Sequence, residues 1–130
     1  MPAVAENDFI EVSLDGSRRL VWLKRSARRP SSVAEITAAF SQANQAMTKL
    51  DRSRLRLLID LRLSPGNNDP EFENAMALPR AALMSGFQAV AVLVQTAIGA
   101  LQVSRIGRED GMQPPVFTDE KQALAWLTAR

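Results

Sequence analysis

The chain has 130 residues and a formal net charge of +2 at pH 7, a length that suits one domain with a single sizeable core. It contains no cysteine, histidine or tyrosine, which excludes disulfides and thiol catalysis and removes the commonest general base and metal ligand. We therefore predict a non-enzymatic protein with no cofactor and no metal site.

The sequence also bears on location and partners. Its longest clean apolar run, Ala89 to Val94, is far shorter than a membrane span. The acidic N-terminal segment lacks the basic and apolar regions of a secretory signal, so we expect a cytoplasmic protein. The arginines lack the interleaved aromatic residues of a nucleic-acid surface, and no nucleic-acid partner is predicted.

The first elements follow from alternation and turn signals. Residues 1–7 are predicted to be a disordered extension of a single domain over residues 1–130. Phe9 to Leu14 alternates as a strand, Asp15-Gly16 is a hairpin turn signal, and Arg19 to Lys24 is the returning strand.

A capping box starts the first predicted helix. Ser32 is the N-cap and Glu35 stands three residues on, ahead of an apolar face that reaches about Leu50. Leu55 to Leu61 is the next strand, and its nearly continuous apolar residues are typical of central parallel strands.

The remaining elements alternate between helix and strand. Asp69 is a predicted N-cap for a helix that ends at Ser85-Gly86 and is kinked or broken at Pro79. Beyond it, Ala89–Val94 is a predicted strand, and a helix runs from Ala97 to about Glu109. Val116-Phe117 is a short strand, and Asp119 is the predicted N-cap of a last helix. This order predicts an α/β fold with a mostly parallel mixed sheet of about five strands, starting with a hairpin, and about four helices.

The element order resembles that of the sulfate transporter and anti-sigma factor antagonist (STAS) domain, in particular its small stand-alone bacterial members. The residues that carry the resemblance are "LLIDLR" (57–62), "AVAVLV" (89–94) and "VFTDEKQALAWL" (116–127). It spans about residues 8 to 128. It implies a regulatory domain that binds a protein partner, such as a kinase-type anti-sigma factor, and that is switched by phosphorylation of a serine or threonine at a helix start.

The loop after Asp60 departs from that pattern. Counted from Asp60, Asp69 holds the position of the hydroxyl, and a carboxylate cannot be phosphorylated by a serine kinase. We predict a partner-binding or regulatory loop whose switch is lost or replaced, formed by Ser64, Asn67, Asn68, Asp69 and Glu71. Asp69 is interpreted as a plain N-cap, with a permanent stand-in for a phosphate as the alternative.

A second function stays open on the sequence. Lipid-binding domains of the Sec14 type share features of this layout, and a small-molecule or lipid carrier predicts an apolar cavity lined by the Phe72–Met84 helix and the neighbouring sheet face. A homodimer also stays open. Trp22 and Trp126 are interpreted as core or half-core residues, with interface anchors as the alternative. Arg52, Arg54 and Arg56 are interpreted as a solvated strand edge, with an anion or partner patch as the alternative.

Overall fold

One six-stranded sheet, with its strands in the order of the sequence, forms the centre of the protein. The computed structural model describes residues 3–66, 69–110 and 113–130. The strands are β1 (Ala3–Glu6), β2 (Ile10–Asp15), β3 (Leu20–Arg25), β4 (Arg56–Asp60), β5 (Ala89–Leu93) and β6 (Val116–Phe117). β1, β2 and β3 pair antiparallel, and β3 to β6 pair parallel.

Four α-helices lie in the described residues and cover both faces of the sheet: α1 (Val33–Met47), α2 (Pro70–Met84), α3 (Ala97–Asp110) and α4 (Glu120–Thr128). The crossovers between successive parallel strands are made by α1, α2 and α3, and crossovers of one hand that move in one direction along a sheet lie on one face. α4 follows the last strand and packs on the opposite face. The predicted α/β fold with a hairpin start, a parallel continuation and four helices is confirmed.

The two faces have separate cores because successive residues of a strand point to opposite sides. Leu57 packs in the core beneath α1 and α2, and its neighbour Leu58 packs beneath α4. The larger core draws Ile36, Phe40 and Met47 from α1 and Met76 and Leu83 from α2. The smaller core is completed by Ala123 and Leu127 of α4.

The N-terminal segment differs from its prediction. Residues 3–6 form β1, whereas a disordered extension was predicted for residues 1–7, and this strand makes the sheet six-stranded rather than about five-stranded. β1 pairs with the open edge of β2, and Val4 and Ala5 pack on the larger core. The segment is too short to show an alternating pattern, so its order comes from the edge that it completes.

Two local predictions change in detail. The hairpin turn begins at Asp15, whose side chain accepts hydrogen bonds from the backbone N–H groups of Ser17 and Arg18 at 3.1 and 3.3 Å. Arg19, rather than Gly16, takes the left-handed conformation in this turn, with φ of 52°. α2 continues through Pro79 to Met84, so the helix is not broken at the proline.

Candidate functional site

A cavity of about 440 Å³ lies between α2, α3 and the sheet face that carries the larger core; we call it the α2–α3 cavity. The sheet contributes Leu23, Ile59 and Val92 to its wall, and the loops that follow β4 and β5 close one end. These loops leave the carboxyl ends of parallel strands, the edge where open α/β sheets bind ligands. The volume falls in the range of small-molecule sites, roughly 300–1,000 Å³.

The cavity exists because α3 stands away from the sheet. None of the α3 side chains that the structure describes is fully buried, whereas α2 buries Met76 and Leu83. An ion pair joins the two helices, with the Arg105 guanidinium 3.1 Å from the Glu73 carboxylate. α2 and α3 are thus tied by a polar contact while the space between them and the sheet stays open.

The wall of the cavity is mostly apolar and its described charged groups are all cationic. Aliphatic, aromatic and thioether side chains from both helices and the sheet make up most of its surface. The charged side chains described on the wall are Arg25, Arg29, Arg62 and Arg80, and no described aspartate or glutamate lines it. The cavity therefore combines an apolar interior with cationic side chains on its wall.

Arg25 is the most buried of these arginines. It ends β3, its side chain lies on the same face as Val21 and Leu23, and it is 8% exposed. Its Nε is buried without a hydrogen-bond acceptor, and its guanidinium carbon lies 5.6 Å from the centroid of the Phe40 ring. Burial lowers the pKa of this guanidinium below its usual value.

Asp60, at the end of β4, belongs to a different cluster, on the face that carries α4. Its carboxylate is 1% exposed and accepts hydrogen bonds from Trp22 Nε1 at 3.2 Å and from Arg62 Nε and Nη2 at 3.0 and 2.8 Å. The Arg62 Nη2 also lies 3.0 Å from the Glu120 carboxylate in the first turn of α4. Arg62 thus links the end of β4 to the start of α4.

The pKa of Asp60 reflects two opposed effects. Burial raises the pKa, and the hydrogen bonds from Arg62 and Trp22 lower it by more, so that the pKa lies below the usual aspartate value. The same pairing raises the pKa of the Arg62 guanidinium. Asp60 therefore has a structural role in its charged form. Its hydrogen bonds hold the carboxylate toward Trp22 and Arg62 rather than toward the cavity.

The structure describes three of the five residues of the predicted loop. Ser64 lines the α2–α3 cavity, and its backbone N–H donates to the Leu61 carbonyl at 3.1 Å in a turn before Pro65. Asn67 and Asn68 lie outside the described residues. Asp69 and Glu71 are exposed at the start of α2, where the Asp69 carboxylate accepts a hydrogen bond from the Glu71 backbone N–H at 3.0 Å. The predicted N-cap is present.

Arg52 was interpreted as part of a solvated strand edge, and that interpretation is wrong. It lies in a short 3-10 turn, Arg52–Arg54, and donates hydrogen bonds to the carbonyls of Ala82 and Ser85 at 2.9 and 3.0 Å. Its Nη2 also donates to the Asn44 side chain near the end of α1. Arg52 therefore joins the carboxyl ends of α1 and α2, the ends at which helix dipoles favour cations.

Sequence reasoning missed Arg25 as a site residue because the predicted strand stopped one residue short, at Lys24. Extended by one position, the same alternation places Arg25 on the apolar face with Leu23. The interpretation of Trp22 and Trp126 as core or half-core residues is confirmed, since both are half-buried and pack on the smaller core.

Comparisons with protein-family models, curated proteins and solved structures found no significant match. The resemblance to the STAS domain therefore stays a prediction. Across residues 3–66, 69–110 and 113–130, every helix is too short or too polar to cross a bilayer.

Proposed function

We propose that the protein is a non-enzymatic binding module that holds a small, largely apolar molecule in the α2–α3 cavity. The observation that carries the proposal is the size and composition of that cavity, about 440 Å³ with a mostly apolar wall. The Sec14-type alternative drawn from the sequence supports it, because it predicted a cavity lined by the Phe72–Met84 helix and the adjoining sheet face.

Packing energetics favour an occupant. Protein interiors are close-packed, and voids larger than a water molecule are few. An apolar wall that faces water is unfavourable, and a ligand that covers it removes apolar surface from water and adds dispersion contacts. A cavity of this volume, placed at the carboxyl edge of the sheet, is therefore better explained by binding than by poor packing.

Binding without catalysis fits the side chains present. The charged groups described on the wall are arginines, which stay protonated near neutral pH and so attract anions without transferring protons. The chain has no histidine or cysteine that could act as a general base or nucleophile near pH 7.

The test fills the cavity with a side chain. Ile106→Trp enlarges a residue of α3 that lines the cavity, and Leu101→Trp makes a comparable change at an exposed position on the same helix. We expect the neutral dye Nile red to bind the wild-type protein saturably. We expect Ile106→Trp to weaken that binding by about tenfold or more and Leu101→Trp to leave it unchanged, because only the first change removes cavity volume. Fluorescence titration measures both.

Equal dye binding by Ile106→Trp and Leu101→Trp, or no saturable binding by the wild-type protein, would contradict the proposal. Circular dichroism and thermal unfolding of each variant establish that the comparison is made between folded proteins.

A second candidate function is a regulatory contact with a protein partner, as the STAS resemblance implies. The specific observation in its favour is a set of large apolar side chains on the loop, α2 and α3, which are exposed by 54%, 82%, 79% and 72% at Leu63, Leu78, Ile98 and Leu101. Large exposed apolar side chains are typical of protein interaction sites where they form a contiguous patch.

Affinity capture from the native organism tests the second function. We expect the double variant Leu63→Ser, Leu101→Ser to lose a partner that the wild-type protein retains, because the change removes apolar contact area. Lys121→Ser, an exposed change on α4, is the control and should retain the partner. Recovery of the same proteins with all three baits would contradict a role for this surface.

A further inference from the structure

The structure assigns a chemical class to the occupant of the α2–α3 cavity. We propose that the ligand is an amphipathic carboxylic acid, whose carboxylate pairs with Arg25 while its apolar body fills the cavity. This inference rests on the proposed function. It adds the charge of the ligand and the residue that binds the charged group.

Arg25 has no ionic or hydrogen-bonded partner among the described residues. No described carboxylate lies within 4.0 Å of its guanidinium, and the side chain makes no hydrogen bond to any described residue. The guanidinium instead makes a cation–π contact with the face of the Phe40 ring. Buried charges in proteins are normally paired and hydrogen-bonded, because desolvation of an unpaired ion is costly. A buried guanidinium on a cavity wall thus lacks the anion that would normally accompany it.

Three of the described carboxylates have partners other than Arg25. Asp60 is held by Arg62 and Trp22 on the other face of the sheet. Glu73 pairs with Arg105. Glu35 accepts hydrogen bonds from the backbone N–H and the hydroxyl of Ser31. Asp60, Glu73 and Glu35 therefore have partners already, and none of them is the acceptor of Arg25.

The charge and shape of Arg25 suit a carboxylate as the head group of the ligand. Arg25 supplies one buried positive charge, and a carboxylate supplies one negative charge in a planar geometry that matches the guanidinium fork. The other arginines of the wall have acceptors or are exposed: Arg62 binds two carboxylates, Arg80 donates to the Glu73 carbonyl at 3.2 Å, and Arg29 is exposed. The apolar wall around Arg25 accounts for the rest of the ligand.

Matched probes separate charge from apolar fit. Decanoate and decanol have the same chain length and differ in the charged head group. For the wild-type protein at pH 7 we expect decanoate to bind at least about tenfold more tightly than decanol, because a hydrogen-bonded charge pair with Arg25 is added to the apolar contacts. Competition against Nile red or isothermal titration measures both affinities.

Arg25→Met tests the residue. Methionine keeps the length of the apolar stem and removes the charge, and replacement of an unpaired buried cation by an apolar side chain is compatible with folding. We expect the preference for decanoate to disappear while decanol binds as it does to the wild-type protein. The control is Arg29→Gln, which removes an exposed arginine at the cavity rim and should keep the preference.

Three outcomes would overturn the inference. Equal affinities of decanoate and decanol for the wild-type protein would leave the cavity as an apolar site and remove its charge selectivity. If Arg29→Gln lost the preference for decanoate and Arg25→Met kept it, the carboxylate would be bound by Arg29 and not by Arg25. No binding of decanoate, decanol or Nile red would reject the inference together with the proposed function. The wild-type comparison does not depend on the folding of any variant.

Discussion

Asp60 is the residue on which the junction between β4 and α4 depends. It is nearly fully buried, and its two oxygens accept hydrogen bonds from the Trp22 indole and from the Arg62 side chain. Asp60→Asn keeps the shape and removes the charge that holds Arg62. We expect it to lower the free energy of unfolding by about 2 kcal/mol, because charge-assisted hydrogen bonds at a buried position are lost. Urea denaturation measures the change.

The control for this prediction is Asp51→Asn. The Asp51 carboxylate is exposed and lies 3.4 Å from the exposed Arg54, so its loss should change the free energy of unfolding by less than about 0.5 kcal/mol. If Asp60→Asn were no more destabilising than Asp51→Asn, the buried cluster would have no structural role.

The contribution of Asp60 to the stability of the protein depends on pH in a definite direction. The pKa of Asp60 is lowered in the folded protein, so the ionised form is favoured by folding. Its contribution to stability is therefore fully present above the unfolded-state pKa of about 3.9 and is lost as the pH falls through the lower folded-state pKa. We expect the stability difference between wild type and Asp60→Asn to be constant from pH 7 to about pH 5 and to shrink in more acidic solution. A difference that grew on acidification would contradict the assigned charge state.

At the scale of elements, the start of α2 tests the two interpretations of Asp69. The carboxylate caps the helix through the Glu71 backbone N–H. We expect Asp69→Ala to lower the free energy of unfolding by about 1 kcal/mol and Asp69→Ser to restore most of it, because a serine hydroxyl also caps. Asp119→Ala, at the matching position of α4, is the control and should cost a similar amount.

Partner capture separates the cap from a stand-in for a phosphate. If Asp69 only caps α2, Asp69→Ser leaves the recovery of a protein partner unchanged. Loss of that partner with unchanged stability would show that the charge itself is recognised, and the interpretation as a plain cap would be wrong.

At the scale of the whole molecule, local signals and long-range contacts contributed differently to what could be predicted. The N-caps at Ser32, Asp69 and Asp119 and the parallel strands were predictable, because a cap involves neighbouring residues and a buried strand has its own pattern. β1 was not, since its order depends on the edge of β2, and neither was the role of Arg52, whose carbonyl acceptors lie about thirty residues away.

The candidate site, too, was predictable in part, and its remaining features depend on contacts between distant elements. The resemblance to Sec14-type lipid-binding domains implied the α2 and sheet walls of a cavity. The sequence did not indicate the α3 wall, since periodicity does not tell how far one element stands from another. Nor did it indicate Arg25, whose importance comes from the absence of an ionic partner among the described residues.

Chemical-shift mapping by NMR tests the central claim most directly, because it reports where a ligand binds without any substitution. We predict that titration of the wild-type protein with decanoate shifts the amide signals of the β3 end, α2 and the first turns of α3 saturably, while those of α4 on the opposite face stay in place. Shifts confined to α4, or shifts that never saturate, would contradict a ligand site in the α2–α3 cavity.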